Sequence, residues 1–214
     1  MGKGALAKLK KDHLFSLGYL TYYKEIEHGS EIGDNEEGTT TRTFAIDNYC
    51  FNSGAPKNPA FEAAFHYGQN VFNMRNASNV TISGLSIVQK IVDTNYYILC
   101  SCVTDDDNVR NEFGGSALII EDVPRFLYCL NKKLATQGII HVAADLCSYI
   151  KNRTIIYTET EKKYMLHAPF FVKDTRYAYQ QEFRMVWRRH DMKPINKRYN
   201  FDCREALKCC SFDF

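Results

Sequence analysis

Hydrophobic and charged positions alternate most clearly near the end of the chain, over residues 182–188. Phe183, Met185 and Trp187 alternate there with the charged residues Glu182, Arg184 and Arg188. A period of two is typical of a strand with one buried face. The sequence therefore predicts a half-buried strand over this segment.

One helix has clear start and stop signals. Asp122 can cap its first turn, Pro124 suits that turn, and Gly138 ends the apolar pattern that follows. Helices with weaker signals are predicted over residues 19–27, 60–67 and 174–181.

Strand-forming segments outnumber the helical ones. A polar segment, residues 29–43, is expected to be a loop long enough to act as a lid. The acidic residues 105–107 are expected to form a solvated loop rather than a metal site. Further strands are predicted over residues 13–18, 44–52, 79–92, 95–103, 116–121, 139–143, 146–151 and 153–158. With no repeat or linker, we expect a single α+β domain over residues 1–214.

Composition places the chain among globular proteins. It has 214 residues, 45% of them hydrophobic and 24% charged. Its apolar runs fall well short of the ~20 residues of a membrane span, and the basic residues 1–11 are not expected to be a secretory signal because they lack an apolar stretch. None of the eight cysteines forms a C-x-x-C pair, and we expect reduced core thiols. We therefore expect a cytoplasmic protein with no membrane partner and no metal.

Charge is nearly balanced, at +2 overall, but it is unevenly distributed. Residues 184–214 carry eight Lys or Arg against four acids, interleaved with Trp187, Tyr199 and Phe201. This pattern fits either a solvated basic rim or a surface that contacts phosphates.

Several motifs of known chemistry are absent, including the phosphate-binding G-x-x-x-x-G-K-[ST], G-x-G-x-x-G and G-x-S-x-G. Three other blocks stand out: residues 13–27 with 32–38, residues 97–102, and residues 171–187. The third contains Tyr-x-Tyr-Gln-x-Glu-Phe-Arg over residues 177–184, after a lysine. In order and spacing, these blocks resemble bacterial ADP-ribosyltransferase-like proteins, several of which act as toxins or phage-defence effectors.

The resemblance implies a split β-sandwich with a few peripheral helices, and NAD as substrate. It implies a mono-ADP-ribosyltransferase toxin that modifies a macromolecule in phage defence. The basic C-terminal segment slightly favours RNA over protein as acceptor, and the resemblance also implies a cognate antitoxin. Two alternatives stay open: an NAD glycohydrolase, in which water is the acceptor, and a catalytically inactive binding module of the same fold.

Glu182 is the candidate catalytic carboxylate, with Gln180 beside it in a Gln-x-Glu ending similar to that of many such transferases. A carboxylate beside the ribose would offset the positive charge that develops as the nicotinamide bond breaks. The alternative is an exposed strand glutamate paired to Arg184 or Arg188.

Tyr19, Tyr22 and Tyr23 are candidates for holding nicotinamide, because residues three or four apart on a helix share a face. The alternative is a buried aromatic cluster.

His13 and Ser101 are candidates by position, each resembling a residue of a different subclass of the family. His13 would grip a ribose or phosphate, and Ser101 would support the catalytic glutamate. Arg184 would bind the pyrophosphate or only pair with Glu182.

Asp34 and Glu37, in the polar segment, would position the acceptor or act as a base. The plainer interpretation is an acidic, solvated loop.

Overall fold

The structure, a computed structural model, describes residues 3–24, 35–46, 49–51, 61–62, 80–112, 114–157 and 168–214. Helices and strands are mixed along the chain, in agreement with the α+β expectation. The helices are α1 (Lys3–Asp12), α2 (Asp107–Glu112), α3 (Val123–Ala135) and α4 (Arg204–Leu207). The strands are β1 (Leu14–Tyr19), β2 (Thr39–Ile46), β3 (Tyr49–Phe51), β4 (Val80–Ile82), β5 (Leu85–Val92), β6 (Tyr97–Cys102), β7 (Ala117–Ile120), β8 (Ile139–Leu146), β9 (Ser148–Tyr149), β10 (Thr154–Tyr157), β11 (Val172–Lys173), β12 (Glu182–Arg189), β13 (Tyr199–Asp202) and β14 (Cys210–Asp213).

The largest sheet within the described residues has five strands in the order β13-β1-β6-β12-β8, and all neighbours are antiparallel. The predicted strand at 182–188 is β12, which lies between β6 and β8. Its register against β6 runs from Glu182 opposite Cys102 to Trp187 opposite Tyr97. Alternation along β12 directs Met185 and Trp187 to one face and Glu182 and Arg184 to the other.

The helices cover the face of Met185 and Trp187. Phe126, Leu130 and Leu134, on one side of α3, are fully buried in the same cluster. The predicted cap is confirmed, because the Asp122 carboxylate accepts a hydrogen bond of 3.0 Å from the backbone N–H of Arg125. This packing fixes β12 from one side.

The opposite face of the sheet packs against other segments of the chain. Val186 of β12 and Ile98 of β6 are buried there with Leu20 and Phe170. A separate sheet of the described chain has the order β10-β2-β5, with β2 parallel to β10 and antiparallel to β5. The segment leading into β2 reaches Arg184 of β12, so the polar face of β12 is covered as well.

The five-stranded sheet opens between β1 and β6. Within these two fully described strands, pairing is found only at Gly18–Ile98 and Tyr19–Tyr97. Extending that register would place Ser16 opposite Cys100, and both residues are exposed. The two strands therefore border an accessible gap on the side of the sheet where Cys100 lies.

The structure corrects the predicted helix over residues 19–27. Tyr19 is the last residue of β1, and Leu20–Lys24 forms a short 3₁₀ helix. Residues 25–27 lie outside the described residues. The tyrosines therefore do not share one helix face in the way the spacing suggested.

The structure also corrects part of the predicted loop at 29–43. Residues 39–43 belong to β2, where a run of β-branched threonines forms a strand. Residues 29–34 are outside the described part of the chain, as is most of the helix predicted over 60–67. Six further helices and strands of the described residues were not predicted: α1, α2, β11, β13, α4 and β14.

No helix in the described ranges combines the length and apolar character that crossing a bilayer requires.

Candidate functional site

The site is built around Glu182, the first residue of β12. Its carboxylate accepts a hydrogen bond of 2.6 Å from the Lys173 ammonium and another of 2.6 Å from Nε of Arg184. Glu182 is only 5% exposed, so the interpretation as an exposed strand glutamate is wrong. Burial by itself raises the pKa of Glu182, but the charges of Arg184 and Lys173 lower it well below its usual range. The carboxylate is therefore ionised at neutral pH.

The N–H donors of Arg184 form hydrogen bonds with other groups of the protein. Besides Glu182, its guanidinium bonds both carboxylate oxygens of Glu37, at 2.5 and 3.1 Å, and the backbone carbonyl of Phe170 at 2.6 Å. The expected pairing with Glu182 is present. Binding of a pyrophosphate would require Arg184 to release these partners.

Glu37 is a buried member of this network rather than part of a solvated loop. It is 2% exposed, and a second arginine, Arg153, lies 3.8 Å from its carboxylate. Burial raises its pKa, but the charge of Arg184 more than offsets this and lowers it below the usual value. Asp34, the other acidic candidate in the polar segment, lies outside the described residues.

A glycine turn brings Glu37 into the interior. Gly38 has φ of 68°, a region that favours glycine. A Cβ at Gly38 would lie 2.8 Å from the backbone oxygen of Asp93. The Gly38 carbonyl accepts a hydrogen bond of 2.9 Å from the backbone N–H of Asp93. A larger residue would therefore displace the turn that positions Glu37.

Lys173 links Glu182 to Gln180. Its ammonium donates to the Gln180 side-chain oxygen at 2.8 Å as well as to Glu182. Burial lowers the pKa of Lys173, but the nearby charge of Glu182 raises it above the ordinary value. The left-handed residue Gln181, at φ of 41°, lets the chain turn between Gln180 and Glu182. Gln180 thus orients the cation that holds the carboxylate.

A cleft lies next to this network. Cys100, opposite Arg184 on β6, is exposed to solvent, yet surrounding protein raises its pKa well above the usual range and the charge of Glu182 adds to the rise. Cys100 borders the unpaired gap between β1 and β6, and this gap is the cleft. The pKa of the half-buried Tyr23 is also raised by burial, then by the charges of Cys100 and Glu182.

Gly18 allows Tyr23 to lie against the sheet. A Cβ added at Gly18 would meet the Tyr23 ring, at 2.8 Å from Cζ and 2.9 Å from Cε2. The ring therefore packs directly over the backbone of β1, where β1 and β6 are still paired.

The other two candidate tyrosines extend away from Tyr23. The ring centroids of Tyr19 and Tyr22 are 5.6 Å apart, as are those of Tyr22 and Tyr23. The Arg198 guanidinium lies over Tyr22 at 4.1 Å. Tyr19 packs against the core on the helical face of the sheet. Tyr23 is therefore the tyrosine that packs over β1 beside the cleft.

His13 and Ser101 are not brought beside Glu182. His13 joins α1 to β1 and pairs through its backbone oxygen with Cys203. Ser101 lies opposite Phe183, so its side chain is on the other face of the sheet from Glu182; it donates to the Phe183 carbonyl at 3.3 Å. Cys100 and Cys102, expected to be core thiols, are instead the exposed residues on the face of Glu182.

The basic C-terminal segment keeps few of its predicted rings at the surface. Trp187 and Phe201 are core residues, at 0% and 5% exposure, and Arg184 is buried. Of the three rings named in the prediction, only Tyr199 is partly exposed, so less of residues 184–214 is available to contact phosphates than the sequence suggested.

Sequence reasoning assigned no role to Lys173 or Arg153. Lys173 lies within the block of residues 171–187, nine positions before Glu182, and this position was the one sign in the sequence that it could belong to the site.

Comparisons of the chain with known protein families, with characterised proteins and with solved structures found no match.

Proposed function

We propose that the protein breaks the bond between nicotinamide and ribose in NAD and transfers ADP-ribose to a macromolecule. The observation that carries the proposal is an ionised carboxylate, Glu182, held by two cations beside an accessible cleft. Cleavage of this bond develops positive charge on the ribose. A fixed carboxylate next to that carbon lowers the energy of the transition state.

The network around Glu182 suits this role because it fixes both oxygens of the carboxylate. Lys173 bonds Oε2, the Arg184 guanidinium bonds Oε1 and, at 3.4 Å, Oε2, and Gln180 in turn bonds Lys173. Such preorganised charge needs no rearrangement as the reaction proceeds. Tyr23 would supply an aromatic surface for the nicotinamide ring at the edge of the cleft.

The acceptor stays open between RNA and protein, because two of the three rings that favoured RNA, Trp187 and Phe201, are buried in the core. A role in phage defence and a cognate antitoxin are parts of the same proposal that rest on the sequence resemblance alone.

The variant Glu182→Gln tests the catalytic role. We expect it to lower NAD cleavage roughly 100-fold or more, the scale of losing one major electrostatic contact in a transition state. Glu121→Gln, at an exposed position directly after β7, is the matched control and should leave cleavage unchanged. Unchanged NAD turnover in Glu182→Gln would favour an inactive binding module.

A second variant distinguishes loss of the catalytic carboxylate from loss of activity through misfolding. Glu182→Gln combined with Lys173→Gln removes one charge of each sign and keeps the buried network balanced. We expect the double variant to unfold cooperatively and to remain inactive. Substantial NAD cleavage by a folded double variant would contradict the assignment.

Incubation with labelled NAD, RNA and protein, followed by mass spectrometry, identifies the acceptor. A gain of one ADP-ribose unit on RNA or on protein supports transfer. Free ADP-ribose alone would instead establish the NAD glycohydrolase.

A further inference from the structure

A groove lies between α3 and the segment that joins β13 to α4. It is an open groove with a volume of about 560 Å³. Arg125, Tyr128 and Lys132 line it from α3, and Arg204 lines it from the other wall. Because α3 packs its apolar side on the sheet face away from Glu182, this groove is separate from the cleft.

The groove carries excess positive charge. Both of its acids have an ion-pair partner: Asp202 pairs with Lys133 of the groove at 3.0 Å, and Glu205 pairs with the neighbouring Lys208 at 2.8 Å. Within the described residues, no ion pair is found for Arg125, Lys132 or Arg204. Three exposed cations therefore converge on one concave surface.

An aromatic ring stands among these cations. Tyr128 is 65% exposed and lines the groove from the solvent side of α3. Arg125, Tyr128 and Lys132 are three and four positions apart, so they share one face of α3. The ring is thus presented to whatever occupies the groove.

We propose that this groove binds single-stranded nucleic acid. The cations contact phosphates, and an unpaired base stacks on Tyr128, the combination by which such strands are held without base-specific readout. A duplex would satisfy the cations but offers Tyr128 no free base face. The groove's role as a docking site for the acceptor rests on the proposed function; binding of the strand does not.

Fluorescence anisotropy with a labelled single-stranded RNA, in the absence of NAD, tests the proposal. We expect Tyr128→Ala to weaken binding about tenfold, the scale of one lost base–aromatic stack. Lys132→Gln should weaken binding and flatten its salt dependence. With three phosphate contacts, the slope of log affinity against log salt should be about −2.

Lys90→Gln is the matched control, since it removes one exposed positive charge from β5, outside the groove. It should leave binding unchanged. The proposal is overturned if the RNA does not bind, if Lys90→Gln weakens binding as much as Lys132→Gln, or if duplex RNA or an acidic peptide binds more tightly. Because NAD is absent, these outcomes are independent of whether Glu182→Gln abolishes NAD cleavage.

Discussion

At the scale of single residues, the interior contains charges that depend on one another. Glu37 and Glu182 share Arg184, while Arg153 and Lys173 approach one carboxylate each. Taking such groups out of water is costly, and the cost is recovered only while every partner is present. The effects of substitution are therefore expected to be large and non-additive.

Lys173→Met tests this dependence. Removing the cation leaves Glu182 buried with one partner fewer, which we expect to lower the free energy of unfolding by about 3–5 kcal/mol. The measurement is urea unfolding. In a cycle with Glu182→Gln, the double variant should lose less than the sum of the single losses. Additive losses would mean that the two side chains do not interact.

Stability should fall in acid. The pKa values of Glu37 and Glu182 are both lower in the folded chain than the ~4.3 of an unfolded glutamate. Their contribution is therefore complete above that unfolded value and is lost as pH falls towards the lower folded values. Urea midpoints measured from pH 7 down to acid should decline below about pH 5. The decline should be shallower in Glu37→Gln, and an identical decline would contradict this origin.

At the scale of elements, local signals predicted well where the element is stabilised locally. The Asp122 cap and the Leu130 and Leu134 spacing located α3, and alternation located β12 to within a residue at its end. The same alternation gave a wrong burial for Glu182 and Arg184. A polar strand face is normally solvated, and here it is covered by charges from distant segments.

Those segments could not be inferred from spacing. Glu37 lies 147 positions from Arg184 along the chain, and its polar neighbours are typical of a loop. Lys173 and Gln180 are near Glu182 in sequence, but the turn at Gln181 that gathers them has no distinct signal. Only the folded sheet shows that Ser101 and Cys100 lie on opposite faces.

Gly18→Ala tests the packing of Tyr23 on β1. The new methyl group would clash with the Tyr23 ring, and we expect a loss of about 1–3 kcal/mol in unfolding free energy, as for other overpacked sites. Gly4→Ala is the control: nothing lies within 4 Å of its Cβ, and in α1 it should be neutral or stabilising by up to about 1 kcal/mol. Combining Gly18→Ala with Tyr23→Leu should recover part of the loss. A neutral Gly18→Ala would show that the ring moves freely.

At the scale of the whole molecule, the two ends of the chain form one sheet. Leu14 of β1 lies opposite Asp202 of β13, and Leu6, Trp187 and Phe201 are buried in one cluster. Pairing between such distant segments requires most of the chain to be in place.

We therefore expect one cooperative unfolding transition. Far-UV and near-UV signals should give the same urea midpoint, as for a single domain. A chain ending at residue 198, which lacks β13, α4 and β14, should lose this cooperativity. Two separate transitions in the full chain would indicate that the sheets fold as independent units.

The exposed thiol of Cys100 makes the cleft chemically observable. Because its pKa is raised well above the usual range, we expect the thiol to react slowly with iodoacetamide near neutral pH and faster as pH rises. A molecule occupying the cleft would shield it. The alkylation rate of the Cys100 peptide, followed by mass spectrometry, thus reports whether the cleft is occupied. The occupant needs no label of its own, whatever reaction it undergoes.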